Sequence, residues 1–282
     1  MRRLTRLLAA GGLLAACSAA LLAAGGAGAS AAGGLPTLTI ALNGKTVVVG
    51  GSTVSGAVNV QTTVTGKAMG SPLLFKLATG VSPSAFAQAT QAVGAHHGDL
   101  NYLSPYGSIV FSAPAPKGTS SAQTLLAPGT YFAIDAKNGN GMPPHTLVTI
   151  SQSASPASLP APGATEASID FGFTGPKTLH DGELVRFVNG GFVVHMDVWE
   201  KAKNMADAKL LVKGLLANQS QRKLGKLITG FGSFADPMST GGMLQKVITE
   251  KPGIYVQSCF VATQDGVPHT AIDMERIIKI VK

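Results

Sequence analysis

Short apolar runs separated by turn-forming residues recur along most of this chain, and this pattern predicts strands rather than helices. The chain is rich in glycine and only 13% of its residues are charged. The predicted strands are Leu38–Val49, Val58–Val64 and Leu73–Leu77 in the first half and Ser168–Phe173, Leu184–Val188 and Val193–Trp199 in the second. Together with the glycine-rich, weakly charged composition, these strands predict an all-β protein.

Two segments carry helical signals instead, one in each half of the chain. Ser82 and Pro83 form a favourable N-cap and N1 pair in front of Ser84–Val93. Asn204 is placed to cap Met205–Leu216, in which leucines recur at the spacing of one helical face. We therefore predict one helical insertion in each half.

One motif occurs twice at the same spacing, which indicates an internal repeat. The first copy joins Pro-Gly-x-Tyr at Pro128–Tyr131 to Pro-His-Thr at Pro144–Thr146. The second copy joins the same residue types at Pro252–Tyr255 and Pro268–Thr270. In both copies the histidine follows the first proline by 17 residues. The repeat predicts that the two halves share one fold.

The predicted domains follow from this repeat. They are two Greek-key β-sandwiches, at about residues 36–151 and 165–282, each with its helical insertion. Residues 152–164 between them are mostly Ser, Ala and Pro without periodicity, which is typical of a linker.

The N-terminus has the features of a targeting segment over residues 1–31. Three arginines among the first six residues precede an apolar run, and Ala29–Ala31 is a small-residue cleavage signal. An alternative is that Leu14–Cys17 is a lipobox, which would make Cys17 a lipidated N-terminus; a retained membrane anchor is a third option. The first two predict a secreted or extracytoplasmic protein of the cell envelope.

The chain is basic, with a formal net charge of +8. Much of this charge lies in and around the second helical insertion, at Lys201, Lys203, Lys209, Lys213, Arg222, Lys223 and Lys226. One interpretation is a solvated helix face; the other is a docking surface for an acidic redox partner or an anionic envelope polymer. Nucleic acid is not expected as a partner, because aromatic residues do not interleave with these charges.

Once the targeting segment is removed, Cys259 is the only cysteine. Cys259 cannot form an intramolecular disulfide. In an oxidising compartment its thiol is therefore expected to be buried, to form an intermolecular disulfide or to bind a metal. Three stretches around it form an ordered pattern: Phe-x-Asn-x5-His at Phe187–His195, Gly-x-Tyr-x3-Cys at Gly253–Cys259, and His-x4-Met at His269–Met274.

This pattern resembles the cupredoxins, the blue copper proteins. The resemblance implies a cupredoxin-like fold for both halves and one type 1-like copper ion in the second. The Cys259 thiolate and the imidazoles of His195 and His269 would form a trigonal plane, with the Met274 thioether as a weak axial ligand. The resemblance also implies that the protein transfers electrons or sequesters copper. Each of these four residues taken alone also fits a structural role in a core or turn.

Three departures from the family pattern concern the surroundings of this site. Nine residues separate Cys259 from His269, more than in plastocyanin-like loops and closer to copper nitrite reductases. Met196 follows His195 and Asp273 precedes Met274, where the family commonly has Asn and a small residue. These departures favour the alternative of a metal-free β-sandwich protein with a binding or structural role in the envelope.

The first half lacks most of the pattern. Asp135 and Ile150 stand where the second half has Cys259 and Met274, Ser71 or Pro72 where it has His195, and only a histidine, His145, persists. We therefore predict no copper in the first half, and that its Pro-His-Thr motif forms a turn. The adjacent histidines of His96–Asp99 are a candidate surface metal site, with an ordinary loop as the alternative.

An enzyme is not expected. Copper nitrite reductases and multicopper oxidases place histidines next to the cysteine to reach a second copper centre. Here the neighbours of Cys259 are Ser258 and Phe260.

Overall fold

The computed structural model describes residues 34–137 and 142–282. The predicted targeting segment and Cys17 lie outside these residues. Within the described part of the chain, none of the helices has the length and apolar character needed to cross a bilayer.

The first half, residues 37–151, consists of eight strands and one α-helix. The strands are β1 (Thr37–Leu42), β2 (Val47–Gly51), β3 (Gly56–Gly70), β4 (Pro72–Leu77), β5 (Gly107–Ser112), β6 (Ala115–Leu126), β7 (Gly129–Asp135) and β8 (His145–Ile150). Helix α1 (Pro83–Ala92) and the 3₁₀ segments Val93–His96 and Leu100–Tyr106 form its helical insertion between β4 and β5.

The second half, residues 164–282, contains nine strands and two helices. The strands are β9 (Ala164–Ile169), β10 (Gly172–Thr174), β11 (Thr178–His180), β12 (Leu184–Asn189), β13 (His195–Ala202), β14 (Ile228–Met238), β15 (Met243–Val247), β16 (Gly253–Ser258) and β17 (Glu275–Val281). Helices α2 (Met205–Leu216) and α3 (Gln221–Leu224) follow β13, and a 3₁₀ turn at His269–Ile272 precedes β17.

The all-β prediction is confirmed, and both predicted helices form. The Ser82 hydroxyl accepts a hydrogen bond from the amide of Ala85 at 3.1 Å, which caps α1. The Asn204 side chain accepts one from the amide of Asp207 at 2.9 Å, which caps α2. Capping depends on residues adjacent in the chain, which explains why these two boundaries were predictable.

Two of the predicted strands are wrong as single strands, because each is a hairpin. Leu38–Val49 divides into β1 and β2, and the side-chain Oδ1 atom of Asn43 accepts hydrogen bonds from the amides of Lys45 and Thr46 at 2.9 and 2.8 Å in the turn. Ser168–Phe173 similarly divides into the end of β9 and the start of β10, with a turn at residues 170–171.

Three sheets build the molecule. The largest has eight strands in the order β10-β9-β12-β15-β6-β3-β1-β2, so it runs through both halves and joins them where β15 pairs with β6. The sheet β5-β4-β7-β8 belongs to the first half, and β11-β17-β16-β13-β14 belongs to the second. Each smaller sheet packs on the corresponding part of the large one, which gives two layers in each half.

A single apolar core extends through both sandwiches. In the first half it includes Phe86 of α1, which stacks on Phe75 at 4.1 Å between ring centroids. In the second half Trp199 stacks on Phe234 at 4.9 Å. Helix α2 covers the outer face of the β11-β17-β16-β13-β14 sheet through Leu211 and its neighbours, so the sheet is buried on both sides there.

The predicted linker contacts both sandwiches. The amide of Ala57 in β3 donates to the carbonyl of Ala157 at 2.9 Å. The carbonyl of Pro160 accepts from the side chains of Arg186 and Gln245, both at 3.2 Å. Residues 152–164 thus lie along the large sheet beside the junction of the halves.

The interior of the second half also holds charged groups. Glu166 is fully buried and its carboxylate accepts from Arg276 at 2.7 Å and from Gln257 at 3.0 Å. Burial, and then the nearby charge of Asp197, raise the pKa of Glu166, and Arg276 opposes this rise. The ion pair is therefore needed to compensate a carboxylate placed inside the core.

Candidate metal centre

Neighbouring strands bring His195 and Cys259 together. His195 is the first residue of β13, and Cys259 directly follows β16. These strands pair side by side, with Val198 opposite Ser258, so the two side chains emerge near the same end of the sheet. His269 opens the 3₁₀ turn before β17, and its amide donates to the carbonyl of Val261 at 2.9 Å, which folds the loop back over this end.

Three potential ligand atoms face one another at this point. The Sγ atom of Cys259 lies 3.7 Å from Nδ1 of His195 and 3.4 Å from Nδ1 of His269. The two Nδ1 atoms are 3.2 Å apart. A triangle with these sides, 3.2, 3.4 and 3.7 Å, has a centre about 2.0 Å from each corner, close to metal–imidazole and metal–thiolate bond lengths. The geometry fits one trigonally bound transition-metal ion.

Met274 lies next to this triangle in the apolar cluster that contains Cys259, Val194 and Val261. Its carbonyl accepts a hydrogen bond from the amide of Cys259 at 3.2 Å, and its own amide donates to the carbonyl of His269 at 3.1 Å. The structure thus brings all four predicted residues into one buried region, with the methionine backbone tied to two of them.

Hydrogen bonds from outside the triangle orient its ligand atoms. The Nε2 atom of His195 lies 2.8 Å from a carboxylate oxygen of Asp170. A proton on Nε2 serves this contact and leaves the Nδ1 lone pair free to bind a metal. The backbone amide of Met196 donates to the Cys259 sulfur at 3.4 Å, a bond that does not depend on which side chain residue 196 carries.

Asp170 is held in place by backbone donors from the loop before His195. The amides of Phe192 and Val193 lie 2.7 and 3.4 Å from its carboxylate. Burial alone would raise the pKa of Asp170, but these bonds and the contact with His195 lower it overall. Sequence reasoning missed Asp170, because a single acidic residue in a turn carries no distinguishing signal.

The Phe171 ring covers the imidazoles from the outside. Its centroid lies 5.1 Å from that of His269 and 6.3 Å from that of His195, both edge-on. The phenyl ring is half-exposed, whereas the two imidazoles and the thiol are buried. The candidate ligands are thus separated from bulk water by an apolar side chain.

Burial sets the protonation of the three ligands in the metal-free protein. It raises the pKa of the Cys259 thiol to about 12, so the sulfur keeps its proton at neutral pH. Burial, and then the neighbouring His195, lower the pKa of His269 to about 4, and burial lowers that of His195. Two neutral imidazoles and one neutral thiol meet here, a set that a cation can bind with the loss of one proton.

The first half has a different arrangement at the matching place. Asp135 is buried, forms an ion pair with Lys67 and accepts a hydrogen bond from the amide of Ser71 at 3.2 Å. The Nδ1 atom of His145 lies 2.8 Å from the carbonyl oxygen of Pro143, a local backbone contact. His145 and Thr146 begin strand β8 and pair with β7, so the turn predicted for this Pro-His-Thr motif is wrong.

In the described part of the chain, the three residues His195, Cys259 and His269 form the only group of His, Cys, Asp or Glu side chains close enough to share a metal ion. The two adjacent histidines of the first half, His96 and His97, make other contacts. The ring of His96 stacks on Tyr102 with 3.7 Å between centroids, and His97 lies beside Gly266. The ordinary-loop alternative therefore describes His96–Asp99 better than a metal site.

The chain matches no protein-family model and no curated protein. Among solved structures it is similar to auracyanin B, with 16% identity, a TM-score of 0.27 and coverage of 44% of this chain and 93% of that one. It is similar to auracyanin from Roseiflexus castenholzii, with 16% identity, a TM-score of 0.25 and coverage of 42% and 95%. A copper-containing nitrite reductase from Thermus scotoductus matches over 87% of this chain and 68% of its own, with 13% identity and a TM-score of 0.26.

The metal site is therefore assigned from the side chains that meet in this chain.

Proposed function

We propose that the second half binds one copper ion through the Cys259 sulfur and the Nδ1 atoms of His195 and His269, and that the protein transfers electrons through this ion. The observation that carries the proposal is the triangle of these three atoms, whose centre is one metal–ligand bond from each. Met274, buried in the same apolar cluster as Cys259, would supply the thioether as a weak ligand.

Copper fits this donor set better than zinc. Structural zinc sites use four strong ligands in a tetrahedron, whereas this site offers three strong ligands and a thioether. Trigonal Cys-His-His coordination with a distant methionine suits copper in both of its common oxidation states. When bound, the ion would supply one-electron redox chemistry, and the protein would hold its ligands nearly fixed.

Electron transfer is favoured over catalysis by the enclosure of the site. The ligand side chains are buried, with Phe171 over the imidazoles, so a substrate has no open coordination position to occupy. Electrons can still pass through the thin cover that Phe171 provides. Copper sequestration uses the same ligands and is distinguished by whether the bound ion cycles reversibly between its oxidation states.

The cell envelope is the proposed location, on the basis of the N-terminal targeting pattern. Its proposed partner is an acidic redox protein that docks on the basic insertion. Helix α2 contacts the 3₁₀ turn that begins with His269, and basic residues on the insertion are exposed. The exposed basic residues are Lys203, Lys209, Lys213, Arg222, Lys223 and Lys226. A partner bound there would lie beside the copper ligands.

The direct test of copper binding is titration of the full chain carrying Cys17→Ser, so that Cys259 is the only thiol, with Cu(II) and separately with Zn(II). One equivalent of Cu(II) is expected to produce an intense visible absorption and to raise the melting temperature, because the ion binds only the folded state. Reversible voltammetry would then distinguish electron transfer from storage. A colourless protein with an unchanged melting temperature and a titratable thiol would favour the metal-free envelope protein instead.

Copper affinity is also expected to depend on pH. The thiol is protonated and both imidazoles are neutral between about pH 7 and 9, so binding releases one proton and the affinity should rise about ten-fold per pH unit. Competition titrations against a chelator of known protonation, at three pH values in this range, measure the slope. A slope near zero would mean that Cys259 keeps its proton and is not a ligand.

A further inference from the structure

The candidate metal centre lies where the two halves of the molecule meet. The helical insertion of the first half continues past α1 into the segment Asp99–Tyr102, and this segment reaches the loop that precedes His195. The candidate copper ligands all lie in the second half. The repeated motif therefore gives no reason to expect that the first half contacts them.

Asn101 makes the most direct of these contacts. Its side-chain carbonyl accepts a hydrogen bond from the amide of Val194, the residue before His195, at 2.7 Å. Its NH₂ group donates to Asp99 at 2.8 Å, and the same carboxylate oxygen accepts from the Asn101 amide at 2.8 Å. Because a carboxylate can only accept, Asp99 fixes which end of the Asn101 amide faces Val194.

The loop before His195 is thus anchored from two sides. Asp170 of the second half binds the amides of Phe192 and Val193, and Asn101 of the first half binds the next amide along the chain. These three consecutive backbone donors determine where β13 begins and therefore where the His195 imidazole lies.

Leu100 adds an apolar contact beside Asn101. It is partly buried against the cluster that contains Cys259 and Met274, and also against the core that spans both halves. On the outer side, His97 lies beside Gly266 in the loop between Cys259 and His269, where a Cβ on the glycine would come within 3.2 Å of the histidine. The first half therefore touches the sequence neighbourhoods of both histidines.

We infer that the segment Asp99–Tyr102, the cap, closes the metal centre, and that Asn101 is a positioning residue for His195. The inference rests on the proposed copper site for its spectroscopic consequences but not for the closure itself. In this role the first half needs no metal of its own. It completes the metal site of the second half and keeps water and small molecules from the Cys259 thiol.

The test compares Asn101→Ala and Leu100→Ala with Asn43→Ala in the full chain carrying Cys17→Ser. Asn43 is the matched control, because its side chain also accepts backbone hydrogen bonds in the first half, at 2.9 and 2.8 Å, but in the β1–β2 turn. The first readout is the rate at which a disulfide reagent modifies Cys259 in the metal-free protein. Asn101→Ala loses a bond to a buried amide and Leu100→Ala loses an apolar contact, and each loss should make this rate about ten-fold faster, whereas the control should leave it unchanged.

The second readout uses the copper-loaded proteins. Excess EDTA is expected to remove Cu(II) about ten-fold faster from Asn101→Ala, and the visible and EPR spectra should change because the His195 imidazole is released from its fixed position. A purely structural role for Asn101 would lower the melting temperature but leave the spectrum per bound copper unaltered.

The outcomes separate this inference from the proposed function. If the unmodified cap protein binds no copper, the copper site fails, and thiol modification alone decides whether the cap closes over Cys259. If copper binds, but the cap variants match Asn43→Ala in thiol modification, extraction rate and spectrum, the cap is refuted and the copper site stands.

Discussion

Cys259→Ser is expected to abolish the visible absorption of the copper-loaded protein and to weaken Cu(II) binding by more than about a thousand-fold. The thiolate is the only soft, anionic ligand in the triangle, and a serine hydroxyl neither ionises nor shares electrons with copper comparably. The loss should exceed the roughly 10–100-fold that removal of a ligand's outer hydrogen-bond partner costs. Absorption titration and competition with a chelator measure the two effects.

The natural control for this variant is Cys17→Ser, the same change at the only other cysteine of the chain. It should leave the absorption and the affinity unaltered. The metal-free Cys259→Ser protein should unfold at nearly the same temperature as its parent, because serine is similar in size to cysteine. Retention of the absorption in Cys259→Ser, or a loss of affinity below ten-fold, would contradict the proposed ligand set.

Arg276→Met is expected to reduce the free energy of unfolding by about 3–5 kcal/mol at pH 8, because buried Glu166 loses its cationic partner and must take up a proton, and Gln257 and the carbonyl of Gly175 lose the hydrogen bonds that Arg276 donates. The pKa of Glu166, already raised by burial and then by Asp197, should rise further. When a carboxyl has a higher pKa in the folded protein than in the unfolded one, the free energy of unfolding falls as pH rises from the unfolded value toward the folded value. The destabilisation should therefore be smaller at pH 5 than at pH 8.

Arg186→Met is the matched control for this experiment. Arg186 also donates two hydrogen bonds in the second half, to Gln245 at 2.8 Å and to the carbonyl of Pro160 at 3.2 Å, but it has no ion-pair partner among the described residues. Its loss should cost about 1–2 kcal/mol with little dependence on pH. Urea unfolding at both pH values measures the difference, and equal costs for the two variants would show that the Glu166 charge is not what Arg276 compensates.

Features that depend on neighbours in the chain could be predicted from the sequence. The caps of α1 and α2 each use a side chain three residues before its donor, and the repeat of Pro-Gly-x-Tyr and Pro-His-Thr preserves its spacing through folding. The turn at Asn43 also carries a local signal, because Asn-Gly between two apolar runs is typical of a hairpin, and the single predicted strand is wrong because it ignores that signal. The pairing of β15 with β6 was not predictable, since the pairing residues Gln245 and Gln123 are polar and distant in the chain.

The candidate site also has predictable and unpredictable parts. The order of His195, Cys259, His269 and Met274 carried the family resemblance, and the structure places them together. Their supporting residues carried no such signal. Asn101 reaches the site from the other half, and a single Asn or Asp has too many ordinary roles in turns for its position to indicate one.

The large sheet that passes through both halves has a practical consequence. Expression of either half alone would separate β15 from β6, which pair at Gln245 and Gln123, and leave the facing edge of the remaining strand uncovered. Such bare edges recruit further strands, so isolated fragments would tend to assemble into insoluble material. The boundary between the two halves is therefore a poor place to cut this protein.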